Sequence, residues 1–163
     1  MYETISIANL THEEWLRLRK TGIGGSDAGA ICGLNPYSSA IHVYNDKTDK
    51  EIHDLDNESM RQGRDLEEYV AKRFMEETGL KVRRSNMMYR NKENPFMIAD
   101  VDRLVVGEDA GLECKTASAY SEDKWKEGEI PPKYLIQGQE DLRYLNAERA
   151  IPHLQMREAL SGG

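Results

Sequence analysis

Long apolar runs are missing from this 163-residue sequence. No segment approaches the roughly eighteen consecutive apolar residues of a membrane-spanning helix. The amino terminus also lacks the basic start and hydrophobic centre of a secretion signal. We therefore expect a cytoplasmic protein without membrane contact. Its length suits a single domain over residues 1–163.

Cysteine and histidine are scarce. The chain has two cysteines, Cys32 and Cys114, and four histidines. Both cysteines lie in apolar runs, so we interpret them as reduced core thiols rather than a disulfide. Two thiols are too few for an iron–sulfur cluster held by four, and the histidines do not have the spacing of zinc ligands. These counts exclude a disulfide scaffold and a histidine-based zinc site.

An excess of positive charge is also missing. The sequence has 22 lysines and arginines against 29 aspartates and glutamates, a net charge of −7. Simple nucleic-acid-binding domains are usually basic. Any binding to DNA is therefore expected to depend on a metal and on local basic clusters, which occur at residues 17–20, 83–84 and 90–92.

The sequence does contain an acidic pattern on a predicted β-hairpin. Residues 96–106 and 112–117 predict two strands joined by a turn. Glu113 and Lys115 share a strand face, and pairing across the turn brings Asp102 toward them. Two carboxylates beside an ammonium suit Mg²⁺, which leaves room for a phosphate and an attacking water. An Asp followed after ten residues by Glu-x-Lys is typical of metal-dependent nucleases, although a cross-strand surface pair also fits this short motif.

A further carboxylate lies on a predicted long helix over residues 57–78, which ends at Gly79. The helical period places Glu67 on the apolar face. A carboxylate there is costly unless it is paired, protonated or bound to metal. We predict that Glu67 adds a third carboxylate to the metal site. The alternative is a salt bridge from an arginine at the edge of the core.

A glycine-rich loop over residues 22–26 predicts an anion site. It follows a helix that a capping box at Thr11 begins, and Ser26 is predicted to N-cap a second short helix ending at Gly33. Free N–H groups at a helix start favour phosphate, and Arg19 lies just before the loop. The loop matches neither a Walker A motif nor a dinucleotide fingerprint. It could also be a tight turn in which Ser26 only caps a helix.

Six motifs follow one another along the chain. They are Trp15-x-x-x-Arg19, Gly22-Ile-Gly-Gly-Ser26-Asp-Ala, Asn35-Pro-Tyr37, Gly63-Arg-Asp-Leu-Glu67, Asp102…Glu113-Cys-Lys115 and Pro132-x-Tyr134-x-x-Gln137-x-Gln139. Together and in this order they resemble the YqaJ-type viral recombinases, relatives of lambda exonuclease in the PD-(D/E)xK nuclease superfamily. They span residues 11–139, which is most of the chain.

The resemblance implies a role for each matched residue. These roles are metal ligation by Glu67, Asp102, Glu113 and the main-chain carbonyl of Cys114, catalysis by Asp102, Glu113 and Lys115, and binding of DNA or its 5′-phosphate by Arg19, Ser26 and Gln137.

The implied activity is that of a Mg²⁺-dependent 5′→3′ exonuclease on double-stranded DNA ends, with Mn²⁺ expected to substitute. It implies a phage or prophage protein of a bacterial host that works in recombination with a single-strand annealing protein. Relatives of this type form ring-shaped trimers. The alternatives are a non-catalytic or truncated module that binds DNA ends or a partner, and an endonuclease of the same fold.

The expected fold class is α/β (α+β), a restriction-endonuclease-like core with a small mixed sheet flanked by helices. We predict further helices over residues 39–48 and 132–144, and the first strand over residues 81–90. Two departures from the family stand out. The tail after Gln139 leaves open whether the C-terminal strands are present, and Asp100 replaces a small hydroxyl residue. A carboxylate there would weaken phosphate binding unless it faces a cation.

Overall fold

The computed structural model describes residues 2–54, 56–118, 130–145 and 149–157. These ranges hold five helices: α1 (His12–Lys20), α2 (Gly25–Ile31), α3 (Ala40–Thr48), α4 (Glu58–Thr78) and α5 (Pro132–Leu145). They also hold seven strands: β1 (Tyr2–Ser6), β2 (Val82–Arg84), β3 (Met87–Asn91), β4 (Ile98–Asp100), β5 (Arg103–Val105), β6 (Ala110–Ser118) and β7 (Arg149–Arg157).

The strands form two sheets. The first is antiparallel, with the order β1-β3-β4, and the second has the order β2-β5-β6-β7. In the second sheet β7 runs parallel to β6, whereas β2, β5 and β6 pair antiparallel. A parallel pair needs a long crossover connection, and α5 lies in the segment between β6 and β7. The mixed α and β architecture predicted from the sequence is confirmed.

Helix α4 forms one side of the core. It begins at the N-cap Asn57, whose side chain accepts from the Met60 N–H at 3.0 Å, and it ends at Gly79 in the left-handed conformation. Its apolar face buries Val70 and Phe74. Helix α4 packs on β6, where Leu112 is fully buried. This packing fixes α4 next to the strand that carries Glu113 and Lys115.

Two predicted strands are broken in the structure. Residues 81–90 form β2 and β3 in different sheets, because Asn86 adopts a φ of +51° that turns the chain between them. Neither β2 nor β3 is the first strand of the chain, because β1 precedes both of them and pairs with β3. Residues 96–106 likewise divide into β4 and β5. Asp102 therefore lies at the point where the chain passes from one sheet to the other.

The segment after Gln139 does hold a strand, β7, which pairs with β6 along nine residues.

Of the two cysteines, Cys114 is half-buried but Cys32 is exposed at the end of α2, so the prediction of a core thiol is wrong for Cys32. Across the ranges described here, none of the helices is long and apolar enough to cross a membrane.

Candidate active site

A cavity of about 240 Å³ opens where α1, α2 and α5 meet β4 and β6. Its lining residues are Trp15, Arg19, Gly24, Gly25, Ser26, Met88, Ile98, Ala99, Asp100, Asp102, Glu113, Lys115 and Gln137. Of the eight residues that sequence assigned to the site, six line this cavity. The other two do not line it: the Cys114 N–H bonds to Asp102, which does, and Glu67 pairs with Arg103.

Glu113 is the centre of a short polar network. Its Oε1 accepts a hydrogen bond from Lys115 Nζ at 2.5 Å and another from Gln137 Nε2 at 2.5 Å. Asp102 Oδ2 accepts from the backbone N–H of Cys114 at 2.7 Å. The β5–β6 pairing thus brings Asp102, Glu113 and Lys115 together, and α5 adds Gln137.

Asp102 and Glu113 place two carboxylates beside the single ammonium of Lys115. Burial, and then the nearby charge of Glu113, raise the pKa of Asp102 from its ordinary 3.8 to about 7. Glu113 Oε2 is buried and has no hydrogen-bond partner among the described residues. An orphaned carboxylate oxygen beside a carboxyl of raised pKa is costly in this form. Both observations fit a divalent cation bound through oxygen ligands.

Lys115 carries a positive charge in this network. Burial lowers its pKa, but the carboxylates of Glu113 and Asp102 more than offset this and raise the pKa to about 12. Burial and the charge of Asp102 also raise the pKa of the Cys114 thiol to about 12. Lys115 is therefore protonated and the Cys114 thiol un-ionised near neutral pH.

Glu67 is paired with an arginine that the sequence interpretation missed. Arg103 is only 4% exposed, and its guanidinium donates to Glu67 Oε1 and to the Asp102 carbonyl, the latter at 3.0 Å. The salt bridge considered as the alternative is thus present. Glu67 is still near enough to raise the pKa of Asp102. No cluster of three or more His, Cys, Asp or Glu side chains suited to a metal occurs in the part of the chain described. The metal role of Glu67 stays a prediction.

One signal could have revealed Arg103. It alternates with Val101 and Val105, and all three are buried, so the period of two places an arginine on an inward face. A buried guanidinium needs carboxylate partners, and α4 offers both Glu67 and Glu68.

The glycine loop differs from its prediction in one respect. The N-cap of α2 is Gly24, whose N–H donates to Asp27 Oδ2 at 2.9 Å, so the prediction that Ser26 caps this helix is wrong. Ser26 Oγ instead accepts from Arg19 Nη2 at 3.0 Å. The Arg19 guanidinium lies over the Trp15 ring, 5.0 Å from its centroid. Arg19 and Ser26 therefore meet at the cavity as predicted, but Asp27 makes the cap.

Close packing holds this loop in place. A Cβ on Gly25 would lie 2.8 Å from Gln137 Cγ and 3.2 Å from its Cα, so only glycine lets α2 approach α5 this closely. Ile23 donates to the Phe96 carbonyl at 2.6 Å and accepts from the Ile98 N–H at 3.0 Å. The loop is thereby fixed to the strand that leads to Asp102.

Asp100, which the sequence marks as a departure from the family pattern, lines the cavity. Its Oδ2 accepts from Trp15 Nε1 at 3.0 Å. Burial raises the pKa of Asp100, while the Trp15 hydrogen bond and the positive charge of Arg19 oppose that rise. Arg19 is therefore near enough to Asp100 to favour its ionised form.

Solved structures of similar fold include several exonucleases. An alkaline exonuclease from Laribacter hongkongensis matches with a TM-score of 0.69 and 20% identity, over 88% of this chain and 74% of that chain. The complex of that enzyme with dAMP matches with a TM-score of 0.72 and 20% identity, over 87% of this chain and 73% of that chain. A phage-related exonuclease from Haemophilus somnus 129PT matches with a TM-score of 0.56 and 17% identity, over 87% of this chain and 71% of that chain. The restriction-endonuclease-like fold is confirmed.

Sequence comparison assigns the family. Residues 14–146 match the YqaJ-like viral recombinase domain. The chain is also 42% identical over 142 residues to the uncharacterized protein YqaJ of Bacillus subtilis strain 168. That match covers 86% of this chain but 44% of the relative, so the chain spans less than half of the relative's length. The chain belongs to the YqaJ-like viral recombinase domain family, as its motifs predicted.

Proposed function

We propose that this chain is a Mg²⁺-dependent 5′→3′ exonuclease that trims double-stranded DNA ends in phage-type recombination. One observation carries the proposal: the acidic pair Asp102 and Glu113 shares a single cavity with Arg19 and Ser26. A hydrolytic centre beside a pocket for an anion suits the removal of nucleotides next to a terminal phosphate. The family match and the exonuclease folds support DNA as the substrate.

The metal would be held by Asp102, Glu113 and the Cys114 carbonyl, with Glu67 close to a second position and Mn²⁺ able to substitute. When bound, Mg²⁺ supplies Lewis-acid activation of the phosphoryl group and of water. The unsatisfied Glu113 Oε2 and the raised pKa of Asp102 support this assignment.

The protein's own groups divide the remaining work. Lys115 stays protonated and stabilises negative charge that develops on the phosphate. Gln137 holds Glu113 Oε1, and the Cys114 N–H holds Asp102, so both carboxylates are oriented before substrate binds. Arg19 and Ser26 bind the 5′-phosphate. Because α2 has only seven residues, we assign this binding mainly to the guanidinium rather than to the helix end.

The proposal extends to partners and assembly. A single-strand annealing protein would receive the exposed strand, and a ring of copies of the same chain would retain the DNA despite the net charge of −7. We also propose that the activity resides in one nuclease domain over residues 1–163.

One observation favours the rival proposal of a DNA-end-binding module without activity. Glu67 is paired with Arg103, and the described part of the chain holds no cluster of three or more side chains suited to a metal. Such a module would bind phosphorylated ends and hydrolyse nothing, which separates it from the exonuclease in any Mg²⁺-dependent digestion assay.

The end pocket gives the first prediction. A charge-assisted hydrogen bond contributes roughly 1.5–3 kcal/mol, so the wild type should prefer 5′-phosphorylated over 5′-hydroxyl duplex ends by about tenfold or more. Arg19→Ala should remove that preference by slowing digestion of phosphorylated ends alone. The measurement is kcat/KM on otherwise identical duplexes that differ in the end group.

Arg17→Ala is the matched control, because Arg17 lies on the same helix but is exposed and pairs with Glu13 on the surface. It should keep the full preference. A wild type without any preference, or an Arg19→Ala variant that slows both duplexes equally, would show that the glycine loop is a structural turn.

A further inference from the structure

A buried ion pair lies behind the end pocket and joins three helices. Lys47 Nζ on α3 is 2.8 Å from Asp27 Oδ2 on α2, and the two side chains are only 12% and 14% exposed. The same ammonium donates to the backbone carbonyl of Arg19 in the last turn of α1, at 3.0 Å. The Asp27 carboxylate also accepts from the Gly24 N–H. One lysine thus contacts, directly or through Asp27, each segment that places Arg19 and Ser26.

The charge of this pair matters for an anion pocket. Asp27 follows Ser26 directly, so an unneutralised Asp27 carboxylate would repel a phosphate bound at Ser26. Lys47 cancels that charge where burial leaves little solvent screening. Its bond to the Arg19 carbonyl also fixes the backbone from which the guanidinium extends. Neither Lys47 nor Asp27 belongs to the described lining of the cavity, so both act through their neighbours.

We propose that Lys47 is a positioning residue that, through Asp27 and the Arg19 backbone, gives the pocket its selectivity for a phosphorylated DNA end. This inference rests on the proposed function, since it needs Arg19 and Ser26 to bind that phosphate. The inference goes beyond the proposed function because it assigns the selectivity to a lysine that does not touch the substrate.

The test substitutes Lys47 by methionine, which keeps most of the stem and removes the charge. A small cavity of about 60 Å³ beside Lys47, lined in part by Leu16 and Ile52, gives the new side chain apolar neighbours. Steady-state kinetics on 5′-phosphorylated and 5′-hydroxyl duplexes should show the preference falling from about tenfold to about twofold. The loss should appear as a higher KM for phosphorylated ends, with kcat little changed.

A second substitution separates charge from packing. The double variant Asp27→Asn, Lys47→Met has no unpaired buried charge, so it should recover part of the lost preference. If Lys47→Met does not fold, Lys47→Gln takes its place and should show the same loss, because it keeps a donor but not the charge. Lys72→Met is the control, since Lys72 is 69% exposed and pairs with Glu76 on the surface.

The outcomes separate this inference from the proposed function. A wild type that prefers phosphorylated ends, with Lys47→Met or Lys47→Gln losing that preference, supports both. If the wild type shows the preference and the Lys47 variants keep it, or slow both substrates equally together with a lower Tm, the inference is overturned and the proposed function stands. A wild type without preference overturns both.

Discussion

Replacing Asp102 by asparagine is expected to abolish Mg²⁺-dependent DNA hydrolysis and, at the same time, to stabilise the metal-free domain. Activity should fall by roughly 10²- to 10³-fold or more, because the substitution removes a charged oxygen ligand and the field it provides. Stability should rise because an ionised Asp102 is buried beside Glu113. The asparagine oxygen can still accept from the Cys114 N–H, so the local backbone is retained.

The gain in stability should depend on pH. The pKa of Asp102 rises on folding from 3.8 to about 7, so between these values the folded state binds more protons than the unfolded state. The free energy of unfolding of the metal-free wild type therefore falls as pH increases through this window. Asp102→Asn should melt roughly 5 °C higher than wild type at about pH 8, and the difference should vanish below about pH 4.

Asp109→Asn is the control, because Asp109 is exposed in the turn before β6. It should leave the melting temperature and the hydrolysis rate nearly unchanged. Near-normal Mg²⁺-dependent hydrolysis by Asp102→Asn would remove this residue from the catalytic centre, whatever its effect on stability.

Adjacent glutamates on α4 give the second large effect. Glu67 is 27% exposed and acts on Asp102, whereas Glu68 is 69% exposed and also pairs with Arg84. If Glu67 completes the metal site, Glu67→Gln should reduce hydrolysis by roughly 10- to 100-fold and weaken Mg²⁺ binding, while Glu68→Gln changes both by less than about twofold. Binding is measured as the Mg²⁺ concentration that raises Tm halfway to its plateau.

Arg103 makes this comparison demanding, since it donates to both carboxylates. If the pairs that Arg103 makes with Glu67 and Glu68 are purely structural, both variants should lower Tm without changing the Mg²⁺ midpoint. Equal effects on Mg²⁺ binding would instead show that Glu67 does not face the metal site more closely than Glu68 does.

The sequence predicted the parts of the molecule that depend on local patterns. The capping box at Thr11 and Glu14 is present, α4 has the predicted extent within a residue, and β6 presents Glu113 and Lys115 to one cavity. Each of these follows from a short-range rule: capping chemistry, a glycine stop, or the period of two along a strand.

Other features depend on contacts between distant residues, which a single sequence does not reveal. Residues 98–106 are mostly apolar on both sides of the charged stretch at 100–103, and no glycine or proline marks the change of sheet there. The pairing of Arg103 with Glu67 joins residues 36 positions apart, and Lys47 reaches the Arg19 carbonyl across 28. Ser26 and Asp27 both have side chains suited to a helix start, and the sequence does not reveal that α2 begins at Gly25, which makes Gly24 the N-cap and Asp27 the third helical residue.

The most direct test of the central claim is digestion of linear and covalently closed duplex DNA of the same sequence by this chain in Mg²⁺. An exonuclease that begins at a phosphorylated end should shorten the linear DNA from its 5′ ends, leave the closed circle intact and stop on addition of EDTA. Cleavage of the closed circle at a comparable rate would show an endonuclease. Binding of linear ends with no hydrolysis in either Mg²⁺ or Mn²⁺ would show a module that recognises DNA ends without cutting them.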